Sequence, residues 1–151
     1  TGGNGPTGVS TVGYRKVYLS RSAFQADWHA VDDELAIEAV AASCGLEIVH
    51  PQQLTFEQQV HLFSGCNLIV GEYSSAMHNS IFSPCGARVV CLNWINWYQS
   101  RICALLEQPV GYIPQMSGTF TDHTMHSAGF QSSSFDVDLV RDRLTELTAG
   151  F

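Results

Sequence analysis

Short, uniformly apolar runs recur along the chain and alternate with segments whose apolar residues return at helical spacing. Apolar runs of this length suit strands buried on both faces, as in a parallel sheet. The pattern predicts five strands, at 16–20, 46–49, 68–70, 89–92 and 110–113. Helices are predicted between these strands and after the last one. This alternation indicates an α/β fold with a Rossmann-like, doubly wound parallel sheet.

The predicted helices carry recognisable start signals. Thr55 and Gln58 have the spacing of a capping box, Ser74 or Ser75 is placed to cap the following helix, and Asp136 is placed to cap the last one. The side chains expected to face the core from the helices are Leu35, Ala36, Ala39 and Val40; Phe56, Val60 and Phe63; Met77, Ile81 and Phe82; Ile102, Leu105 and Leu106; and Val137, Val140, Leu144 and Leu147.

The turn after the third strand contains the clearest candidate chemistry. Its small residues are Gly71, Ser74, Ser75 and Ala76, and His78 and Asn79 follow them. Small residues let a ligand approach the backbone, and the free N–H groups of a helix's first turn attract an anion such as a phosphate. The same residues also suit an ordinary strand-to-helix turn, so the turn alone supports both interpretations.

Arg21 follows the first predicted strand. Ligands of open parallel sheets gather at the carboxyl ends of strands, and a guanidinium there can bind a phosphate with two hydrogen bonds. A surface arginine in a loop is the alternative interpretation.

Composition limits the partners. The chain has 151 residues, a formal net charge of −7, 45% hydrophobic residues and 14% charged residues. This length suits one domain at 14–151, after a flexible N-terminal segment at 1–13. An acidic chain without a basic run argues against nucleic acid, and no apolar stretch reaches the length of a membrane span. The start, which lacks Met, looks like the boundary of a fragment.

Five cysteines, at positions 44, 66, 85, 91 and 103, form an odd set without a C-x-x-C pair. Each has apolar neighbours, which predicts buried free thiols in a reducing compartment.

Three further groups have two interpretations each. The acidic residues 32–34 could bind a metal, but carboxylates at a helix start are more simply explained as caps. His123 and His126 lack a third metal ligand. Trp94, Trp97 and Tyr98 either cover the edge of the sheet or stack on a ligand ring.

An ordered set of motifs resembles the C-terminal half of glycosyltransferase family 61 proteins of the capsular-polysaccharide-biosynthesis type. The motifs are YLSR (18–21), DDEL (32–35), LTFEQQVHLF (54–63), IVGEYSSAMHN (69–79), FSPCG (82–86) and VVCL (89–92). The resemblance covers roughly residues 16–113. It implies one half of a GT-B-type enzyme, in which two Rossmann-like domains face each other. It also implies transfer of a sugar from a nucleotide-sugar donor to a glycan or polysaccharide acceptor.

The resemblance further implies that the domain at 14–151 binds the nucleotide sugar, and it indicates the binding residues and the cellular location. The donor-binding residues it indicates are Arg21, Gln59, Gly71, Glu72, Ser74, Ser75, His78, Asn79 and Arg101. No essential metal or other cofactor is expected, and no catalytic residue is assigned. An N-terminal, acceptor-binding domain is expected to be missing, and the general base with it. We expect a cytoplasmic protein, which could work at the membrane face.

Two departures from the family leave an alternative open. Tyr73 stands where many members have the His of a His-Gly-Ala-Gly-like run, and Asp32-Asp33 replaces the usual Asn-Glu. The alternative is a non-catalytic nucleotide or sugar-nucleotide binding module. A serine hydrolase is excluded, because the turn lacks the Gly-x-Ser-x-Gly spacing of a nucleophile elbow. Flavodoxin-like signalling or flavin binding is not supported, because the sequence has no group of phosphoacceptor Asp residues at the predicted strand ends.

Overall fold

A computed structural model describes residues 14–23, 33–93, 95–114 and 134–149. The predicted segment at 1–13, Asp32, Trp94 and both histidines of the 123–126 pair lie outside the described residues. Along the chain the elements are β1 Arg15–Leu19, α1 Glu34–Ser43, β2 Glu47–Val49, a 3-10 turn Pro51–Gln53, α2 Phe56–Ser64, β3 Cys66–Glu72, a 3-10 helix Ser75–Phe82, β4 Arg88–Leu92, α3 Trp97–Leu105, β5 Val110–Ile113 and α4 Val137–Thr148.

The five strands form one parallel sheet in the order β2-β1-β3-β4-β5. This confirms the predicted parallel α/β sheet. Successive strand residues point to opposite faces and enter two separate cores. Tyr18, Val70 and Val90 pack against α1 and α4, whereas Val17 and Ile69 pack against α2, the 3-10 helix and α3. Helices on both faces make the sheet doubly wound.

The predicted caps are confirmed at two of three helices. Thr55 and Gln58 form both bonds of a capping box, and the Asp136 carboxylate accepts from the backbone N–H groups of Asp138 and Leu139 at 3.0 Å. The Ser74 side chain makes no capping bond. The segment that follows is a 3-10 helix rather than the α-helix expected.

The 3-10 geometry corrects which side chains face inward. With three residues per turn, Met77 and Ser80 lie on one face and are fully buried, whereas Ile81 is 46% exposed. Ser80 is held there by the side chain of Gln99 at 2.8 Å, and its carbonyl accepts from Gln108 at 2.9 Å. These buried amides join the 3-10 helix to α3 and to the segment before β5.

The predicted stripes of α1, α2 and α3 are wrong in part. The misplaced side chains are Leu35, Ala36, Ala39, Phe56 and Leu105, which are exposed. In α1 the helix is rotated so that Glu34, Ile37 and Ala41 lie inside beside Val40. In α3 the buried face carries Gln99 and Cys103, because the Gln99 amide bonds Ser80 within the core.

The cysteine prediction is confirmed for three thiols and wrong for two. All five cysteines are free; Cys66, Cys91 and Cys103 are buried, Cys44 is half-buried and Cys85 is exposed. Cys85 lies in the turn between the 3-10 helix and β4, where apolar neighbours in sequence do not imply burial. No described helix is long and apolar enough to cross a membrane.

Candidate functional site

The order of the strands fixes where a ligand can bind. After β1 the chain crosses to β2 on one side and then returns to β3 on the other side of β1. The connections that leave the carboxyl ends of β1 and β3 therefore run in opposite directions and leave a crevice between them. Arg21 follows β1 and Glu72 ends β3, so both predicted site residues lie at this switch point.

Gly71 allows β1 and β3 to come together beneath that crevice. It pairs with Leu19 of β1 and with Cys91 of β4. A Cβ atom at this position would lie 3.0 Å from the Leu19 Cβ, 3.1 Å from the Leu19 carbonyl oxygen and 3.2 Å from the Met77 sulfur. The close packing therefore requires a residue without a side chain. Gly71 contributes to the candidate site by setting the spacing of β1 and β3 beneath it.

Arg21 and Glu72 form an ion pair across the switch point. The guanidinium donates to Glu72 Oε2 at 3.2 Å, and the two side chains are only 15% and 11% exposed. The backbone N–H of Arg21 donates to Glu34 Oε1 at 3.0 Å. That oxygen also accepts from the hydroxyl of Tyr18 at 3.1 Å. One arginine is thus held between two carboxylates.

Glu34 departs from its predicted role. We expected the acidic run to cap α1, but Asp33 makes no capping bond and its carboxylate instead accepts from the backbone N–H of Phe135 at 3.4 Å. Glu34 turns inward and is 7% exposed. Its Oε2 atom is buried and has no hydrogen-bond partner among the described residues.

Burial governs the ionisation of this cluster. It raises the pKa of Glu72 from its ordinary value of 4.5 to about 7, which Arg21 opposes and Glu34 reinforces. Burial likewise raises the pKa of Glu34, although hydrogen bonds from Arg21 and Tyr18 oppose the shift. The pKa of Tyr18 is raised well above 10, first by burial and then by Glu34. Glu72 can therefore hold a proton near neutral pH.

The turn after β3 lies beside this cluster. The backbone N–H of Tyr73 is used by the carbonyl of Leu92 at 3.2 Å, and that of Met77 by Ser74 at 3.0 Å. The 3-10 helix begins at Ser75, and the first turn of a helix leaves backbone N–H groups without partners inside the helix. The backbone of Ser74 and Ser75, rather than a capping side chain, is therefore what this turn can offer a ligand.

An aromatic group adjoins the turn. The His78 ring lies between Tyr73 and Tyr98, with ring centroids 6.1 Å and 6.2 Å apart. Burial lowers the pKa of His78, and its Nε2 atom is buried without a hydrogen-bond partner among the described residues. The hydroxyl of Tyr73 accepts from the side-chain amide of Asn96, which ties the turn to the start of α3.

Arg101 belongs to this aromatic group on its exposed side. Its guanidinium lies over the Trp97 ring, 4.7 Å from the centroid, and Trp97 meets Tyr98 edge to face at 5.0 Å. Trp97 and Tyr98 are 62% and 61% exposed. Covering the edge of the sheet would bury these rings, so of the two interpretations for the described residues, stacking on a ligand ring fits their exposure better.

The side chains of Gln59 and Asn79 bond to each other. The Asn79 amide donates to the Gln59 side-chain oxygen at 2.6 Å, and the Gln59 amide donates to the carbonyls of Pro51 and Leu54 at 3.1 Å. The pair joins α2 to the 3-10 helix. Its structural contribution is to hold the turn in place.

The cluster residues that the sequence did not single out as site residues are Tyr18, Ser20 and Glu38. Ser20 bonds the carboxylate of Glu38 and extends the cluster. A tyrosine within an otherwise apolar buried strand was the available signal, because its hydroxyl requires a buried partner. Within the described ranges, no three His, Cys, Asp or Glu side chains are grouped to hold a metal ion.

The chain thus has a Rossmann-like α/β domain with a buried polar cluster at its switch point. The glycosyltransferase 61 family model matches residues 5–90, more than half of the chain, and the chain therefore belongs to that family. Membership indicates glycosyl transfer. The match includes Arg21, Gln59 and the turn after β3, and it ends before Arg101. No curated protein matches the chain.

Proposed function

We propose that this domain binds the nucleotide-sugar donor of a glycosyltransferase that extends a glycan or polysaccharide, as in capsular polysaccharide biosynthesis. One observation carries the proposal: a buried arginine just after β1 and the start of a helix just after β3 lie at the carboxyl ends of the two strands that flank the sheet's switch point. A diphosphate needs both kinds of partner. Family membership supplies the reaction class.

The proposed binding mode follows from these positions. The phosphates lie between Arg21 and the first turn of the 3-10 helix, and the base or the sugar stacks near Tyr98 and His78. Negative charge develops on the nucleotide as the sugar leaves, so donors fixed at this point stabilise the transition state. The arginine and the backbone N–H groups supply that stabilisation without requiring a metal. We further propose a second domain, in a GT-B arrangement, that brings the acceptor and the general base.

A thermal-shift screen tests the proposal. The protein is heated with UDP, GDP, CMP and their sugar conjugates, each with and without a divalent metal. We expect one nucleotide family to raise the melting temperature independently of metal. Arg21→Ala should abolish the shift, whereas Arg15→Ala, which removes an arginine from the other end of β1, should keep it. Equal shifts in both variants would place the ligand elsewhere.

A non-catalytic binding module is the second candidate. Tyr73, which replaces the histidine of many family members, is tied to Asn96 and has a structural role in this chain. Turnover separates the two candidates. If the full-length protein binds a nucleotide sugar but never consumes it with any acceptor glycan, the domain is a binding module.

A further inference from the structure

Arg21 is opposed by more negative charge than it can neutralise. Its guanidinium contacts Glu72 and its backbone N–H contacts Glu34, and both carboxylates are at least 89% buried. Glu34 Oε2, itself buried, has no partner among the described residues. The site therefore already holds an anion on its arginine, and that anion belongs to the protein.

The charged groups around Glu72 come from three elements. Arg21 and Tyr18 come from β1 and the residues just after it, Glu34 comes from α1, and Glu72 ends β3. Glu38 of α1 bonds Ser20 and acts on Glu34. Arg21 is the cation among the groups around Glu72, against the carboxylates of Glu34 and Glu72. A further anion entering this group meets repulsion unless one carboxylate loses its charge.

We infer that a phosphate group of the donor takes the place of the Glu72 carboxylate on Arg21, and that Glu72 takes up a proton from solvent as it does so. This inference rests on the proposed donor-binding function and adds a specificity-determining role for Glu72. Glu72 competes with the ligand for Arg21, and the competition weakens when Glu72 is neutral. The raised pKa of Glu72, about 7, places this exchange near physiological pH.

The direction of the pH effect follows from the exchange. Below pH 7 Glu72 is mostly neutral before the ligand arrives, so the affinity for an anion should vary little with Glu72. At pH 8, roughly one molecule in eleven has the neutral carboxyl, and the apparent affinity should fall about tenfold relative to a site without the carboxylate.

Inorganic pyrophosphate is the probe, because it has the charge of the donor without its base or sugar. Isothermal titration calorimetry from pH 6 to pH 8.5 compares the unmodified protein with Glu72→Gln and with Glu47→Gln. Glu47 is the matched control, since it pairs with Arg15 at the opposite end of β1. Changes in the protonation of pyrophosphate itself are common to all three proteins and cancel in the ratio of affinities.

We expect Glu72→Gln to bind pyrophosphate about tenfold more tightly than the unmodified protein at pH 8 and about equally at pH 6. Glu47→Gln should follow the unmodified protein throughout. Equal affinities for all three proteins at pH 8, or weaker binding by Glu72→Gln, would overturn the inference; weaker binding would mean that Glu72 contacts the ligand directly.

The outcome stays separable from that of the proposed function. If pyrophosphate binds none of the three proteins while a nucleotide sugar still raises the melting temperature, the exchange is wrong and donor binding stands. If neither ligand binds, both fail. Should Glu72→Gln not fold, the unmodified protein decides: its affinity must fall between pH 7 and pH 8.5 more steeply than pyrophosphate protonation explains.

Discussion

Strand β1 has an arginine–glutamate pair at each end, and the two pairs differ in a revealing way. At the amino end Arg15 binds Glu47 through two hydrogen bonds of 3.2 Å and 3.0 Å, with side chains 40% and 47% exposed. Just beyond the carboxyl end, Arg21 donates one hydrogen bond to Glu72, at 3.2 Å, with side chains 15% and 11% exposed. The pair with the better geometry lies where water screens it, and the pair with the poorer geometry lies where desolvation is costly.

We propose that this contrast separates an ion pair that stabilises the fold from one that also serves a ligand. The buried Arg21–Glu72 pair lies beside a second carboxylate, Glu34, whose Oε2 atom has no hydrogen-bond partner among the described residues. A ligand can satisfy what the protein leaves unsatisfied, so in this proposal the cluster is ready for one.

The largest expected effect comes from removing each arginine. Arg21→Ala leaves Glu72 buried without its cation and should lower the free energy of unfolding by about 2 kcal/mol, less than for a permanently charged group because Glu72 can take a proton. Arg15→Ala removes an exposed pair and should cost about 0.5 kcal/mol. Urea unfolding at pH 7.5 measures both. Equal losses would show that the two pairs do the same work.

The pH dependence of stability sharpens the comparison at the glutamates. Folding raises the pKa of Glu72 from 4.5 to about 7, so the folded protein holds a proton there that the unfolded chain releases. This stabilisation is complete below pH 4.5 and is lost as the pH rises to about 7. Glu72→Gln should remove this fall, whereas Glu47→Gln, at the exposed pair, should retain it. Thermal melts from pH 5 to pH 8 measure the difference; the same slope in both variants would contradict the assignment.

Two glycines test whether packing is tighter at the carboxyl ends of the central strands than in the edge strand β5. Gly71→Ala brings a Cβ to 3.0 Å from Leu19 and should cost about 1–2 kcal/mol. Gly111→Ala, in the edge strand β5, meets nothing within 4 Å and should change stability by about 0.5 kcal/mol or less. Chemical denaturation of the two variants gives the comparison. A neutral Gly71→Ala would mean that β1 and β3 can separate without penalty.

The smallest expected effect concerns two exposed tyrosines. Tyr98, beside the turn, is 61% exposed, and Tyr14, at the amino end of β1, is 73% exposed. Tyr98→Ala should weaken binding of the nucleotide found in the thermal-shift screen by about fivefold, through the loss of about 1 kcal/mol of stacking. Tyr14→Ala should leave it unchanged. Calorimetric titration measures both, and an unchanged affinity in Tyr98→Ala would remove the aromatic group from the site.

Much of the fold could be predicted because it depends on local pattern. Apolar runs located the five strands, and the Thr55 and Asp136 caps marked helix starts where the structure has them. The faces of the helices were harder, since both cores accept apolar side chains and rotation is decided by tertiary contacts. Ile81 is exposed because the segment is a 3-10 helix rather than an α-helix, and no residue in it predicts that geometry.

The site was predictable only in its parts. Arg21 and the turn after β3 follow from the rule that strand ends carry ligand-binding residues. Their pairing spans 51 positions, and the inward turn of Glu34 depends on the hydroxyl of Tyr18, 16 positions earlier. Contacts at such separations depend on strand order, which apolar patterns do not specify.

Tyr18 gives the molecule an internal optical reporter. Its ring is fully buried and its hydroxyl, bonded to Glu34, has a pKa raised well above 10. Above pH 10 the unfolded chain is stabilised by releasing that proton and the folded chain is not, so alkali favours unfolding. Deprotonation of Tyr18 and opening of the sheet thus become a single event. The ultraviolet absorbance of its phenolate would report, in alkali, the moment at which the centre of the sheet meets water.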